Sequence, residues 1–177
     1  MRRNRELIAA LLAVLAVTAI YAYFSRGGVP RAGSLVGHLM GVVGMTLMLA
    51  TETLYSLRKR AKRVHVGRLH DWLSVHIFMG IFGPYLVLLH SAWTFNGLAG
   101  AAMLMTIVVV VSGFVGRYIY TRIPRSADGS ELPSATAAAA RRMMATWHTV
   151  HVPLGLAMFT AATLHALAGL YFTTLGR

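Results

Sequence analysis

Long apolar runs leave this chain few ways to fold. Segments 7–24, 35–57, 71–94, 98–120 and 144–172 are each predominantly apolar and at least 18 residues long, enough to cross a hydrocarbon layer of about 30 Å as a helix. In lipid every backbone N–H and C=O must be satisfied within the segment, so each run is expected to be an α-helix and not a strand. The mean hydropathy of +0.61 and the charged fraction of 12% point the same way, because a soluble domain carries about 25% charged residues. The expected fold class is all-α: a polytopic membrane helical bundle of five transmembrane helices, forming one domain over residues 1–177.

A formal charge of +12 could suggest nucleic acid. The basic residues, however, sit in the short segments between apolar runs, where they meet anionic lipid, so no nucleic-acid partner is expected. Arg2, Arg3 and Arg5, then Arg58, Lys59, Arg60, Lys62, Arg63 and Arg68, then Arg117, Arg122, Arg125, Arg141 and Arg142 fall on one side; Arg26, Arg31 and Arg177 fall on the other. The positive-inside rule then puts the chain in the inner (cytoplasmic) membrane, N-terminus cytoplasmic and C-terminus periplasmic. The first run has a basic flank like a secretory leader, but it exceeds a usual leader core and residues 25–30 offer no small-x-small cleavage site, so a retained span is expected. Cysteine is absent, which excludes thiolate-ligated clusters, covalently attached haem and disulfides and leaves histidine as the main metal ligand.

Within this apolar background one pattern occurs twice. Trp72, His76, Gly80 and His90 are matched by Trp147, His151, Gly155 and His165 at an offset of 75 residues. An ionisable side chain inside a span is costly and marks a functional position. On a helix, two residues 14 apart fall within about 40° of one face and roughly 21 Å apart along the axis. Helices three and five run parallel in this topology, so equal depths pair His76 with His151 and His90 with His165. Two imidazole pairs at two depths are the arrangement that binds two b-type haems in a four-helix core. Gly80 and Gly155, one turn from a ligand, leave room for a flat macrocycle, and Gly83 lies midway between His76 and His90. For each glycine the competing reading is close helix packing.

Other residues are assigned from position. Arg68, Arg141 and Arg142 are candidates to bond anionic propionates, against a simple positive-inside role. His38 can meet a propionate or a quinone, or be structural. His148 competes with His151 as a ligand, His70 precedes His76 near the interface, and His65 is expected to be solvated. Trp72, Trp147 and Trp93 read as interfacial anchors. Glu52 is expected to pair with Arg58 or another nearby base, against a proton relay to a quinone. Asp71 is expected to cap helix three, and Ser134 to cap a fifth helix that starts in the Ala-rich run after the polar stretch 124–140. The methionines are scattered and read as lipid-facing filler.

The placement of His76, His90, His151 and His165 on two helices separated by one resembles the haem core of the cytochrome b family of quinol:cytochrome c oxidoreductases. It also resembles the ferric reductase-like transmembrane proteins, including NADPH oxidases. The resemblance covers about residues 70–172. The chain lacks the further helices and quinol-site signature of the first family and the flavin and nicotinamide domains of the second. It implies a non-catalytic or quinone-reactive subunit carrying two haem b, passing electrons between a quinone pool and a flavoprotein, iron-sulfur or cytochrome partner. The alternative is a transmembrane reductase of ferric iron or another small acceptor at the outer face. A haem-free transporter or proton channel with histidines along a pore is a third reading.

Overall fold

The computed structural model describes residues 4–60, 67–124 and 134–174. Five helices follow one another: α1 (Arg5–Phe24), α2 (Leu35–Arg60), α3 (Leu69–His90), α4 (Gly97–Thr121) and α5 (Ala135–Thr174), with a short 3-10 turn, Ser25–Gly27, after α1. No strand occurs among the described residues. All five helices are long and apolar enough to cross a membrane, as the apolar runs require. Large apolar side chains such as Leu12, Leu15, Phe24, Leu104 and Leu156 are exposed. In a bilayer these contact lipid tails, so helix association must come from close packing and hydrogen bonds.

The chain divides into two compact units, Met1–Asn96 and Gly97–Arg177. In the first, α2 and α3 form an antiparallel hairpin against which α1 packs. Thr18 of α1 and Tyr85 of α3 share a hydroxyl hydrogen bond. The hairpin seam has one register. Gly37 meets His90, Gly44 meets Gly83 and Thr51 meets His76, so seven residues on along α2 correspond to seven residues back along α3. Seven residues are close to two helical turns, which keeps all three pairs on one face. A Cβ at Gly44 would lie 2.8 Å from the Gly83 oxygen and 2.8 Å from Val87 Cγ2, and one at Gly83 would lie 3.0 Å from the Gly44 oxygen. The absent side chains are what let the two backbones touch.

In the second unit α4 and α5 are also antiparallel neighbours, with Ser112 against His151 and Gly116 against Trp147. At about 1.5 Å per residue, the 40 residues of α5 extend about 60 Å, twice the hydrocarbon thickness, so one end of α5 stands outside a bilayer. Its start is capped as expected: the Ala137 N–H donates to Ser134 Oγ at 3.1 Å. The chain from 125 to 133, which holds most of the polar stretch, lies outside the described residues, as does His65.

Two local expectations are corrected. Asp71 does not cap α3. The helix begins at Leu69 with Arg68 at the cap position, so the Asp71 N–H already bonds the Arg68 carbonyl and its carboxylate sits in the first turn, 3.7 Å from His70 Nδ1. Helix α3 also ends at His90 and not near 94, because Ala92 and Trp93 take φ of 48° and 63° and turn the chain out of the helix.

Replacing Gly44 by valine forces α2 and α3 apart, at a cost of about 1–3 kcal/mol. Gly169→Ala, where a Cβ meets nothing within 4 Å, leaves stability unchanged or slightly raised. Thermal unfolding in detergent separates the two, and a Gly44→Val protein as stable as the parent would contradict this packing.

Candidate functional site

The repeated histidines stand on α3 and α5, and in each unit the neighbouring helix meets them. His76 Nδ1 lies 3.0 Å from the Thr51 carbonyl oxygen on α2, and His90 Nδ1 lies 2.8 Å from the Gly37 carbonyl oxygen on the same helix. A carbonyl oxygen can only accept, so both rings must carry their proton on Nδ1. In the neutral imidazole the basic lone pair is then on Nε2. The Thr51 hydroxyl donates to Leu47 O within α2, which leaves its carbonyl as the group facing His76. At Gly41 a Cβ would come within 2.9 Å of His90 Cγ and Nδ1, so this glycine makes the recess in which the imidazole sits.

In the second unit His151 Nδ1 lies 3.0 Å from Ser112 Oγ on α4. His165 is half-buried, and among the described residues no hydrogen-bond partner meets its ring. The register explains this. Continuing from Ser112 against His151, His165 falls opposite Leu98 in the first turn of α4, where the side chains are apolar.

The glycines separate into two groups. Gly83 belongs to helix packing: the space a Cβ would take is filled by Gly44 O, Met48 Cγ and Leu47 Cβ, all within about 3 Å, so it leaves no gap for a macrocycle. Gly80 and Gly155 are not forced by packing within their units. A Cβ at Gly80 would rest 3.6 Å from Thr51 Cγ2, an ordinary contact, and at Gly155 nothing lies within 4 Å. A side chain at either position would meet no close contact within its own unit.

The competing histidines bond differently. His148 Nδ1 returns to the Met144 carbonyl of its own helix at 3.1 Å, and His38 Nδ1 to the Ser34 carbonyl at 3.2 Å. His38 is exposed, with its ring 6.3 Å from that of His90. Arg68, Arg141 and Arg142 are exposed. Glu52 is exposed and accepts a hydrogen bond from Ser56 Oγ at 3.1 Å; the side chain of Arg58 lies outside the described residues. Trp93 is exposed in the turn after α3, whereas Trp147 is packed against α4 and its indole N–H donates to the Ser112 carbonyl at 2.8 Å.

Two features escaped the sequence reading. Ser112 and Gly116 on α4 were missed because α4 carries no part of the repeat; the available signal was a hydroxyl residue and two glycines, Gly113 and Gly116, in an otherwise bulky apolar run. The second is a cleft of about 550 Å³ between the start of α1 and the start of α3, lined by polar Arg5, Glu6, Arg68, His70, Asp71 and Ser74 over apolar Ala9, Val75 and Phe78. Among the described residues no group of three or more His, Cys, Asp or Glu side chains gathers as for a metal ion; a bis-imidazole haem needs only two. No family model, curated protein or solved structure matches the chain.

The two carbonyl contacts predict an Nδ1–H tautomer for the neutral rings of His76 and His90. Nitrogen-15 NMR of histidine-labelled, haem-free protein reads this directly, and an Nε2–H ring at either position would contradict the geometry.

Proposed function

We propose that this chain is the haem-bearing membrane subunit of an electron-transfer system, with His76, His90, His151 and His165 as axial ligands of two b-type haems. The observation that carries the reading is the hydrogen bonding of His76 and His90 through Nδ1 to carbonyls of a neighbouring helix. Histidines that ligate metals through Nε2 characteristically donate the other ring N–H to a carbonyl or carboxylate, which fixes the ring and raises its basicity. The uncrowded Gly80 and Gly155 fit a planar group beside the ligands. The pairing of His76 with His151, and of His90 with His165, rests on the 75-residue repeat.

Bound haem supplies one-electron exchange between ferric and ferrous iron, at potentials tuned by axial ligands and burial. The protein's part is to hold the imidazoles, keep their Nδ1 protons engaged and exclude water. Arg68, Arg141, Arg142 and the exposed His38 are the candidate propionate partners, and Arg117, half-buried inside α4, joins them, because a guanidinium placed within a span is a functional position. With the N-terminus cytoplasmic, as the arginine distribution argues, the cleft between α1 and α3 opens at the cytoplasmic face. Its mixed charge and apolar floor suit a neutral quinone head better than an anion, and His70 and Asp71 are placed there to exchange a proton. The other electron carrier is a redox partner protein.

Purified protein is expected to show a reduced-minus-oxidised b-type spectrum with two haems per chain. His90→Ala and His165→Ala should each lose one of them; full haem content in both variants would remove the ligand assignment. His70→Ala is expected to slow haem reduction by a quinol several-fold while dithionite still reduces all the haem. Unaltered quinol kinetics would take the quinone out of this cleft.

A further inference from the structure

The match between the two halves stops at the helix that faces each histidine. On α3, His76 is met by a backbone carbonyl. On α5, the equivalent His151 is met by a side chain, Ser112 Oγ, and by an aromatic wall. Trp147, one turn before His151, lies nearly parallel to it, with ring centroids 4.4 Å apart and planes 23° apart. The indole N–H reaches across to α4, where it is shared between Ser112 O at 2.8 Å and Ser112 Oγ at 3.1 Å. Gly116 makes this possible, since a Cβ there would overlap the six-membered ring of Trp147. Gly113 lies under the imidazole, its Cβ position 3.9 Å from His151 Cε1.

We propose that Ser112 is the positioning residue of His151, and that Trp147 and Gly116 complete a cradle on α4 for this ligand. The functional meaning rests on the haem reading above; the cradle itself lies wholly within Gly97–Arg177. An imidazole on a bare helix face turns about two bonds. Here the hydroxyl fixes one ring nitrogen and the indole fixes the ring plane, so Nε2 is aimed before any metal arrives, which is how an outer shell orients a ligand.

Counting donors and acceptors shows how the hydroxyl works. The indole nitrogen only donates, so Ser112 Oγ receives it and keeps one proton and one further lone pair for His151. A carbonyl accepts from Nδ1–H alone. The hydroxyl can serve either tautomer, giving its proton to a bare Nδ1 or accepting from Nδ1–H. Were Nε2 to hold a metal, the ring proton would sit on Nδ1 and the hydroxyl would accept it. His151 thereby has a partner in both states, whereas the equivalent His76 meets a carbonyl that serves one tautomer alone.

The test uses full-length protein purified with its native cofactors, comparing Ser112→Ala, Ser112→Thr and Trp147→Phe with Ser91→Ala as a control outside the cradle. Ser112→Ala is expected to alter one of two low-spin ferric EPR signals and to speed loss of one haem about tenfold, within the range seen on removing outer-shell partners. Ser112→Thr keeps the hydroxyl and should restore the parental signal, which a purely structural role does not require. Trp147→Phe should move the same signal and leave the other unchanged. Parental EPR signals and haem loss in Ser112→Ala would overturn the proposal while leaving the haem reading intact. Should the parent purify without haem, that reading fails instead. The cradle is then decided by histidine NMR, where Ser112→Ala must shift the His151 ring resonances and not those of His76; unchanged His151 resonances would overturn it.

Discussion

A backbone carbonyl has no proton to give, and much of this structure's chemical meaning follows from that. When Thr51 and Gly37 present their oxygens to His76 and His90, the tautomer of both rings is decided by the acceptor. Inside a helix such a carbonyl already takes an N–H four residues on, so the imidazole uses the second lone pair and adds a bond without breaking the helix. The bond requires very close backbones. Gly41 and Gly44 on α2, with Gly83 on α3, provide that closeness, so the glycine seam and the ring chemistry are one design. Were the helices spaced for leucine-sized contacts, an imidazole of this reach would find lipid or another side chain, and its tautomer would be free to change.

The second unit meets the same requirement by different means. No glycine seam brings an α4 carbonyl to Nδ1 of His151; a serine side chain spans the gap, and Gly116 serves the indole instead. The intervals along the chain show why the solutions differ. His76 lies 25 residues from its partner and His151 lies 39 from its own, because α5 begins well before Trp147 and a longer connection precedes it. The repeated pattern of α3 and α5 was therefore matched to two different neighbours. A helix carries its own spacing wherever it goes, whereas the groups opposite depend on the register of the hairpin.

That distinction separates what was legible in the sequence from what was not. The five helices could be read directly, since apolar runs of this length have no other structure in lipid. The start of α5 could be read from Ser134 and the alanines. The histidines stood out because charge-bearing side chains are rare in spans. Ser112 did not, because its meaning comes from a register between α4 and α5 that depends on the intervening chain. The contacts of Trp147 with α4 were hidden for a related reason. At the start of an apolar run a tryptophan has interfacial anchoring as its default reading, and only Gly116 across the hairpin reveals the packing against α4. Gly83 looked like part of the histidine pattern because it shares their face, yet that is the face pressed against α2, so its role is packing. The α2 glycines Gly41 and Gly44 were readable as a small-residue seam; their partner helix was not.

The four histidines also differ in how firmly the protein holds them. His76 and His90 are tied to carbonyls, His151 to a hydroxyl beneath an indole, and His165 stands opposite Leu98 with no acceptor among the described residues. Outer-shell hydrogen bonds raise the basicity of an imidazole ligand and restrict its rotation, so four rings on one repeat are four chemically unequal donors. A sequence repeat with unlike neighbours thus makes four positions differ where the repeat alone would make them identical in pairs.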